Sequence, residues 1–254
     1  MIPRIGEVLR RLTQATRPAP QRLAVEDAYR LWAATYDAQP DNLVLALEEA
    51  LFSDLLARVA LEGRRVLDVG CGTGRHWPRL LAGRPRALAG ADRSPEMLAR
   101  LRARFPDAEL HPVAGPTLEG IGDASVDVVV STLTLGHVRD VDGALAEWAR
   151  VLRPGGDVIL TDFHPEAFSA GMKRTFAHEG TTFEVENYAH APRELAAIFG
   201  RLGLDLREVR ERIIDDPLRD AFERQHEERA FHRLRGKPIV LGMILSKRQV
   251  DQVA

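Results

Sequence analysis

Apolar residues change their spacing repeatedly along this chain, and each change predicts an element. Ile5, Val8, Leu9 and Leu12 recur at helical spacing, which predicts a short amphipathic helix over 4–15 ended by Pro18-Ala19-Pro20. Helices are also predicted over 23–34 and 42–61. From residue 65 short apolar runs alternate with amphipathic stretches. Strands are expected near 65–69, 86–91, 109–113, 126–131 and 156–163, with helices near 75–83, 95–104 and 141–152. Ser94 supplies a side-chain cap and Pro95 a preset first helical residue, while Pro154-Gly155-Gly156 stops the helix before it. Such alternation predicts a parallel sheet with helices on both faces. Residues 173–188 interrupt it: Lys173–Ala177 and Thr182–Tyr188 look like two strands of a hairpin turning at 178–181. A helix at 193–202, a strand at 204–212, a polar helical stretch at 217–235 and an apolar strand from Ile239 to Leu245 complete the chain.

The first predicted strand of the alternating region runs into Val66-Leu-Asp-Val-Gly-Cys-Gly-Thr-Gly74. Gly70, Gly72 and Gly74 sit at alternate positions between a strand and a helix. Glycine has no Cβ and reaches positive φ without strain, so a backbone here can approach a ligand closely. Asp92 follows at the end of the next apolar run. A carboxylate there can accept both hydroxyls of a ribose, so the pattern points to a nucleoside-containing cofactor. A dinucleotide loop has the spacing Gly-x-Gly-x-x-Gly and rests a pyrophosphate on a helix N-terminus. Here the spacing is Gly-x-Gly-x-Gly, and Asp68 precedes it. That acid would repel a pyrophosphate and would suit an ammonium.

These segments, with Ala91-Asp-Arg-Ser-Pro-Glu-Met-Leu98, Asp127–Ser131, Leu135–Asp140 and Arg150–Gly156, resemble class I S-adenosylmethionine-dependent methyltransferases of the small-molecule type, similar to the group called methyltransferase domain 11. The resemblance covers roughly residues 26–165. It implies an α/β, Rossmann-like, doubly wound and mostly parallel seven-stranded sheet whose last strand inserts antiparallel. It further implies an N-terminal helical lid over 1–40, a methyltransferase domain over 41–254, and a small hairpin cap inserted at 168–190. The implied cofactor is S-adenosyl-L-methionine, leaving S-adenosyl-L-homocysteine as product. Asp68 would hold the ammonium of its methionine moiety, and the backbone at Gly70, Cys71, Gly72 and Gly74 would face the same moiety. Asp92 would bind the ribose, and Arg93 and Met97 would flank the adenine. Relatives that place an acid after the third strand find Gly115 at that position here, so either backbone around Gly115–Leu118 would read the adenine or Glu119 would shift in to do so. Tyr36, on one helix face with Tyr29 and Trp32, would fold over the cofactor.

Methyl transfer needs donor and nucleophile held in line, and a base only where the nucleophile carries a proton to be lost. His137 and His164 each follow a strand on the side where open α/β sheets bind ligands, and are the candidate bases. Asp162 is placed to orient one of them. The hairpin residues Arg174, Phe176, His178, Phe183, Glu186 and Tyr188, with His190, are expected to meet the acceptor. The chain of 254 residues carries a net charge of −2, which supplies no strong field for nucleic acid. Cys71 is its one cysteine, so neither an internal disulfide nor a cysteine metal site is possible, and no metal is expected. No apolar run approaches the roughly 20 residues of a membrane span. Together these fit a cytoplasmic enzyme with a small-molecule acceptor, as monomer or homodimer. The rivals are a protein that binds the cofactor without transferring the methyl, and an enzyme acting on a carrier-bound or protein acceptor.

Overall fold

The structure is a computed structural model that describes residues 20–39, 42–224 and 228–249. The amphipathic segment expected at 4–15 lies outside the described residues. Strand β1 (Gln21–Leu23) and helix α1 (Val25–Trp32) come first, followed by helix α2 (Leu43–Leu56). Alternation then begins with β2 (Arg65–Val69), α3 (Trp77–Ala82), β3 (Ala87–Asp92), α4 (Pro95–Arg104) and β4 (Glu109–Pro112). It continues with β5 (Val126–Thr132), a 3-10 turn (Leu135–His137), α5 (Val141–Val151) and β6 (Leu152–Phe163). A short α6 (Pro165–Ser169), the hairpin β7 (Thr175–His178) and β8 (Thr181–Val185), and α7 (Pro192–Arg201) follow. The chain ends in β9 (Leu204–Ile213), the short helices α8 (Arg219–Arg224) and α9 (Glu228–Leu234), and β10 (Pro238–Lys247).

Seven strands form one sheet in the order β4-β3-β2-β5-β6-β10-β9, parallel except for β10, which runs antiparallel to both neighbours. The inner strands β2, β5 and β10 read as near-continuous apolar runs because helices cover both faces, whereas the edge strands β4 and β9 are polar and more exposed. One buried cluster packs Leu51, Phe52 and Leu55 of α2 with Trp77, Leu80 and Leu101 against Val66, Val128 and Ile159. The other packs Leu145 and Trp148 of α5 and Phe199 of α7 against Leu67, Val129, Leu160 and Met243. The Ser94 cap matches the sequence, its Oγ accepting from the Met97 N–H at 3.3 Å, and Asp140 Oδ1 caps α5 by accepting from the Gly143 N–H at 3.0 Å.

The structure departs from the sequence reading at several places; β6, expected from 156, begins at Leu152 and takes in Pro154-Gly155-Gly156. The helix expected at 23–34 begins at Val25, because residues 21–23 pair in parallel with β8, Leu23 opposite Val185. Hairpin and N-terminal segment thus form one three-stranded sheet rather than two separate covers. Its hairpin turns at Glu179-Gly180, both at positive φ, the geometry that matches strand twist in a two-residue loop. The helix expected at 42–61 ends at Leu56, after which Val59 and Leu61 turn back into the core. Over 217–235 two short helices replace one, with Phe222 and Phe231 buried against each other.

Candidate functional site

The C-terminal ends of β2, β3 and β5 meet at the strand-order reversal, where an open α/β sheet leaves a crevice. After Val69 the chain turns through Gly70 (φ 72°) and Gly72 (φ 54°). The N–H groups of Gly70 and Cys71 both donate to the Ala91 carbonyl, at 2.7 and 3.2 Å, so the turn is fastened to the end of β3. Gly72 borders open space, whereas a Cβ on Gly70 would lie 2.1 Å from Thr134 Oγ1.

Asp92 takes up the turn from the other side. Its Oδ2 accepts from the Gly72 N–H at 2.8 Å, and its Oδ1 from the Ser94 N–H at 2.8 Å. Burial raises its pKa, and those two N–H groups oppose the shift. An ionised carboxylate has about four lone-pair sites, so this one keeps acceptor capacity while fixed in orientation. Asp68 lies beneath the turn. Burial pushes it up to about 7, although the Trp77 indole N–H donates to it at 3.0 Å and favours its charge.

A cavity of about 490 Å³ opens over these groups. Gly70, Gly72, Asp92, Arg93, Met97 and Gly115 line its sheet side. Val25, Glu26, Tyr29 and Tyr36 roof it from α1 and the turn after it, and Glu186 and Tyr188 from the segment after β8. The roof is tied down by an ion pair between Glu26 and Arg93, by Thr73 Oγ1 donating to Asp37 Oδ1 at 2.7 Å, and by Tyr29 to His137 at 2.8 Å. A smaller neighbouring cavity holds Asp68 and Cys71, with Tyr36, Gly70, Gly72 and Thr132 shared between the two.

Two residues of the glycine motif do not line the large cavity. Gly74 is not among the lining residues; a Cβ there would sit 3.1 Å from Leu101 Cγ and 3.2 Å from Trp77, so it serves close packing of α3 and α4. The Cys71 thiol packs toward β3, where a Cβ on Gly90 would lie 2.7 Å from its sulfur, and burial raises its pKa well above the usual value. Glu119 is exposed and does not line the cavity, and Leu118 N–H donates to Glu147 instead.

The histidines occupy different surroundings. His137 lines the large cavity. Its Nε2 receives the Tyr29 hydroxyl at 2.8 Å and an Arg174 N–H at 2.6 Å, and its Nδ1 lies 3.0 Å from the Glu186 carbonyl. Arg174 can only donate, so Nε2 is the acceptor and Nδ1 carries the proton. Enclosure and the Arg174 charge hold the ring well below its usual pKa, as neutral imidazole. His164 is buried outside the cavity lining, its Nδ1 accepting from the Glu166 N–H at 3.2 Å as the cap of α6. Asp162 touches neither ring. It accepts from the N–H groups of Gly136 and Phe163, both at 2.7 Å, and so sets the turn that carries His137.

The comparisons agree with this geometry. The family model described as a methyltransferase domain matches residues 67–160. A phosphatidylethanolamine N-methyltransferase from Cereibacter sphaeroides is 33% identical over 145 residues, 55% of this chain and 68% of that protein. The chain belongs to the class I S-adenosylmethionine-dependent methyltransferases. The demethylmenaquinone methyltransferase of Tropheryma whipplei (strain Twist) is 35% identical over 151 residues, 57% of this chain and 61% of that one. The chain spans between 49% and 61% of the length of several curated relatives it matches. Among solved structures, the S-adenosylmethionine-dependent methyltransferase from Mesorhizobium loti superposes with a TM-score of 0.61 at 21% identity. It covers 79% of this chain and 98% of that one, and shows the shared fold.

The cofactor of this methyltransferase is S-adenosyl-L-methionine, and the residues present fit it. The cavity at the strand ends offers an acidic acceptor with unused lone pairs at Asp92, a glycine backbone with open space at Gly72 and Gly115, and a carboxyl group at Asp68. Among the described residues no cluster of His, Cys, Asp and Glu could hold a metal ion. No described helix is long and apolar enough to cross a membrane.

Proposed function

We propose that this protein transfers the methyl group of S-adenosylmethionine to a small-molecule acceptor bound under the α1 and hairpin roof. The observation that carries this reading is the roofed cavity itself. Its volume of about 490 Å³ falls within the roughly 300–1,000 Å³ of small-molecule sites, and three side-chain bridges close it over Asp92. In this reading Asp92 holds the ribose hydroxyls, Arg93 and Met97 flank the adenine, backbone near Gly115 reads its edge, and Asp68 faces the ammonium. The bound cofactor supplies an electrophilic methyl carbon on a sulfonium, which departs as a neutral thioether. Residues 20–39 and 168–190 act as a single cap that orients the acceptor and excludes water.

Proton handling follows from the contacts of His137. Both donors at Nε2 occupy the lone pair that a general base would use, and Arg174 opposes an imidazolium. His137 therefore serves by fixing the Tyr29 hydroxyl at the cavity wall, and positioning supplies most of the rate. His164, outside the lining, acts through α6 and not on the acceptor. Relatives named for a quinone precursor and for a phospholipid show how widely acceptors vary within such sequences.

The test is incubation with methyl-labelled S-adenosylmethionine and fractionated cell extract, with separate counting of small molecules, proteins, nucleic acids and lipids. Label in the small-molecule fraction is expected. Label confined to macromolecules overturns the acceptor class. Measured cofactor affinity with no label in any fraction favours a binding protein over a transferase.

A further inference from the structure

The two edges of the large sheet meet solvent differently. β4 is four residues long and ends in Pro112, which has no N–H to offer a further strand. β9 runs ten residues without a proline and, among the described residues, pairs with β10 alone. An open edge of that length carries a row of free N–H and C=O groups and is a template for another strand. Large apolar side chains are exposed at four positions among the described residues, and three of them, Leu206, Val209 and Ile213, lie on β9.

The charges between these apolar residues decide what can pair there. Against β10 the strand is regular from Glu208 to Arg212, which lie opposite Ile244 to Val240, and its register shifts only outside that stretch. Glu208 and Arg210 share one face and pair with each other, and Arg58 reaches the same glutamate at 3.4 Å. Neighbouring residues of a strand turn their N–H and C=O to opposite edges. Two copies related by a two-fold axis can therefore pair antiparallel only with one residue facing itself. Glu208, Arg210, Glu211 or Arg212 at that centre would set a charge against its own copy, and like charges directly opposite are destabilising. Val209 at the centre sets valine against valine, and on either side of it Glu208 of one copy against Arg210 of the other.

We propose that β9 is a self-pairing edge: two copies of this chain join antiparallel, centred on Val209, into one continuous sheet. A strand that presents both signs in this order complements itself, whereas a partner strand of a single sign would set a like charge against either Glu208 or Arg210. β6 and β10 separate β9 from the crevice at β2, β3 and β5, so the pairing leaves the cofactor site open and is independent of the acceptor.

The experiment is sedimentation velocity of the full chain over a concentration series, for wild type, Glu208→Arg, Arg210→Glu and the double variant that carries both. Wild type is expected to dimerise. Each single reversal sets like charges opposite each other twice in the symmetric pair, and is expected to weaken the dimer about tenfold or more. The double variant exchanges the signs and is expected to return to within about threefold of wild type, which a merely structural loss would not do. Val209→Cys reports the register. Residues directly opposite across antiparallel strands have Cα atoms about 4.5–5.5 Å apart, within disulfide reach, so mild oxidation is expected to link Val209→Cys to its own copy and to leave Glu211→Cys unlinked. Cys71, the native cysteine, is buried and stays out of that link. Should the charge variants fail to fold, the contrast between the two cysteine variants decides the matter. A dimer indifferent to the single reversals, a double variant as weak as the singles, or equal cross-linking at 209 and 211 overturns the proposal. A wild type that stays monomeric throughout the series also overturns it, and slow amide exchange along β9 in that monomer would assign the edge to another segment of the same chain.

Discussion

A carboxyl held near 7 makes Asp68 sensitive to pH in two opposing ways. In the unfolded chain it ionises near 3.8, and in the fold near 7. Between those values the folded protein keeps a proton that the unfolded chain has released. Its contribution to stability is therefore full below about 3.8 and is lost as pH rises through about 7. Ligand binding runs the other way, because an ammonium needs the carboxylate ionised. Affinity for S-adenosylhomocysteine should rise between pH 6 and pH 8. At pH 6, calorimetry in buffers of different ionisation enthalpy should register close to one proton released on binding. Asp68→Asn should abolish that release and raise the melting temperature at pH 8, where it removes a buried charge. An unchanged proton count in Asp68→Asn would separate Asp68 from the ammonium. At Asp92 the expected effect is on affinity at every pH. Asp92→Ala removes charge-assisted hydrogen bonds worth roughly 1.5–3 kcal/mol each, so binding should fall at least tenfold in equilibrium dialysis. A folded Asp92→Ala protein with wild-type affinity would sink the ribose assignment.

The glycine turn shows how one element combines two demands that alanine substitution can separate. Gly70→Ala puts a Cβ 2.1 Å from Thr134 Oγ1 at a φ of 72°, so strain and overpacking add to about 2–5 kcal/mol of lost stability. Gly72→Ala meets nothing within 4 Å and carries only the left-handed strain, about 1–2 kcal/mol, but its methyl enters the space beside Asp92. Denaturant melts should rank Gly70→Ala well below Gly72→Ala in stability, and S-adenosylhomocysteine titrations should find Gly72→Ala impaired although folded. Equal melts for the two would mean that Thr134 yields readily. This turn was legible in the sequence because its requirements are local: a dihedral angle, a strand before it, an acid at the end of the next strand. The inner sheet strands were legible for the same reason, since burial on both faces leaves apolar runs, whereas the edge strand β9 is mostly polar and exposed. The close packing at Gly74 was not legible because its constraint comes from Leu101, in another helix. Tyr29 with His137 and Arg75 with Glu48 join residues 108 and 27 positions apart, and no spacing rule announces such pairs. Residues 21–23 look like the start of a helix until β8 supplies an open edge to pair with.

Across the whole molecule, stability is divided unevenly between sheet and cap. Two extensive clusters hold the sheet between its helices, whereas the cap's own cluster among the described residues is small, made of Ala28, Trp32, Phe176 and Val185. Trp32 stacks on Phe176 at 4.8 Å and so joins α1 to β7. The bridges from cap to sheet, Tyr29 to His137, Asp37 to Thr73 and Glu26 to Arg93, all reach residues beside the cavities. A segment with little buried apolar area and a few polar ties opens at lower free energy than the core it covers. A ligand seated beneath it binds the closed form and slows that opening by mass action. Hydrogen exchange followed by mass spectrometry should therefore find 21–37 and 175–185 exchanging much faster than β2, β5 and β6 in the free protein. Saturating S-adenosylhomocysteine should slow those two segments together, because β1 and β8 are hydrogen-bonded to each other. Trp32→Ala should speed exchange in both segments, leave the sheet strands unchanged, and raise the ligand's dissociation rate. Exchange in the cap as slow as in the sheet, with no response to ligand, would make the cap a fixed wall through which the cofactor enters by another face.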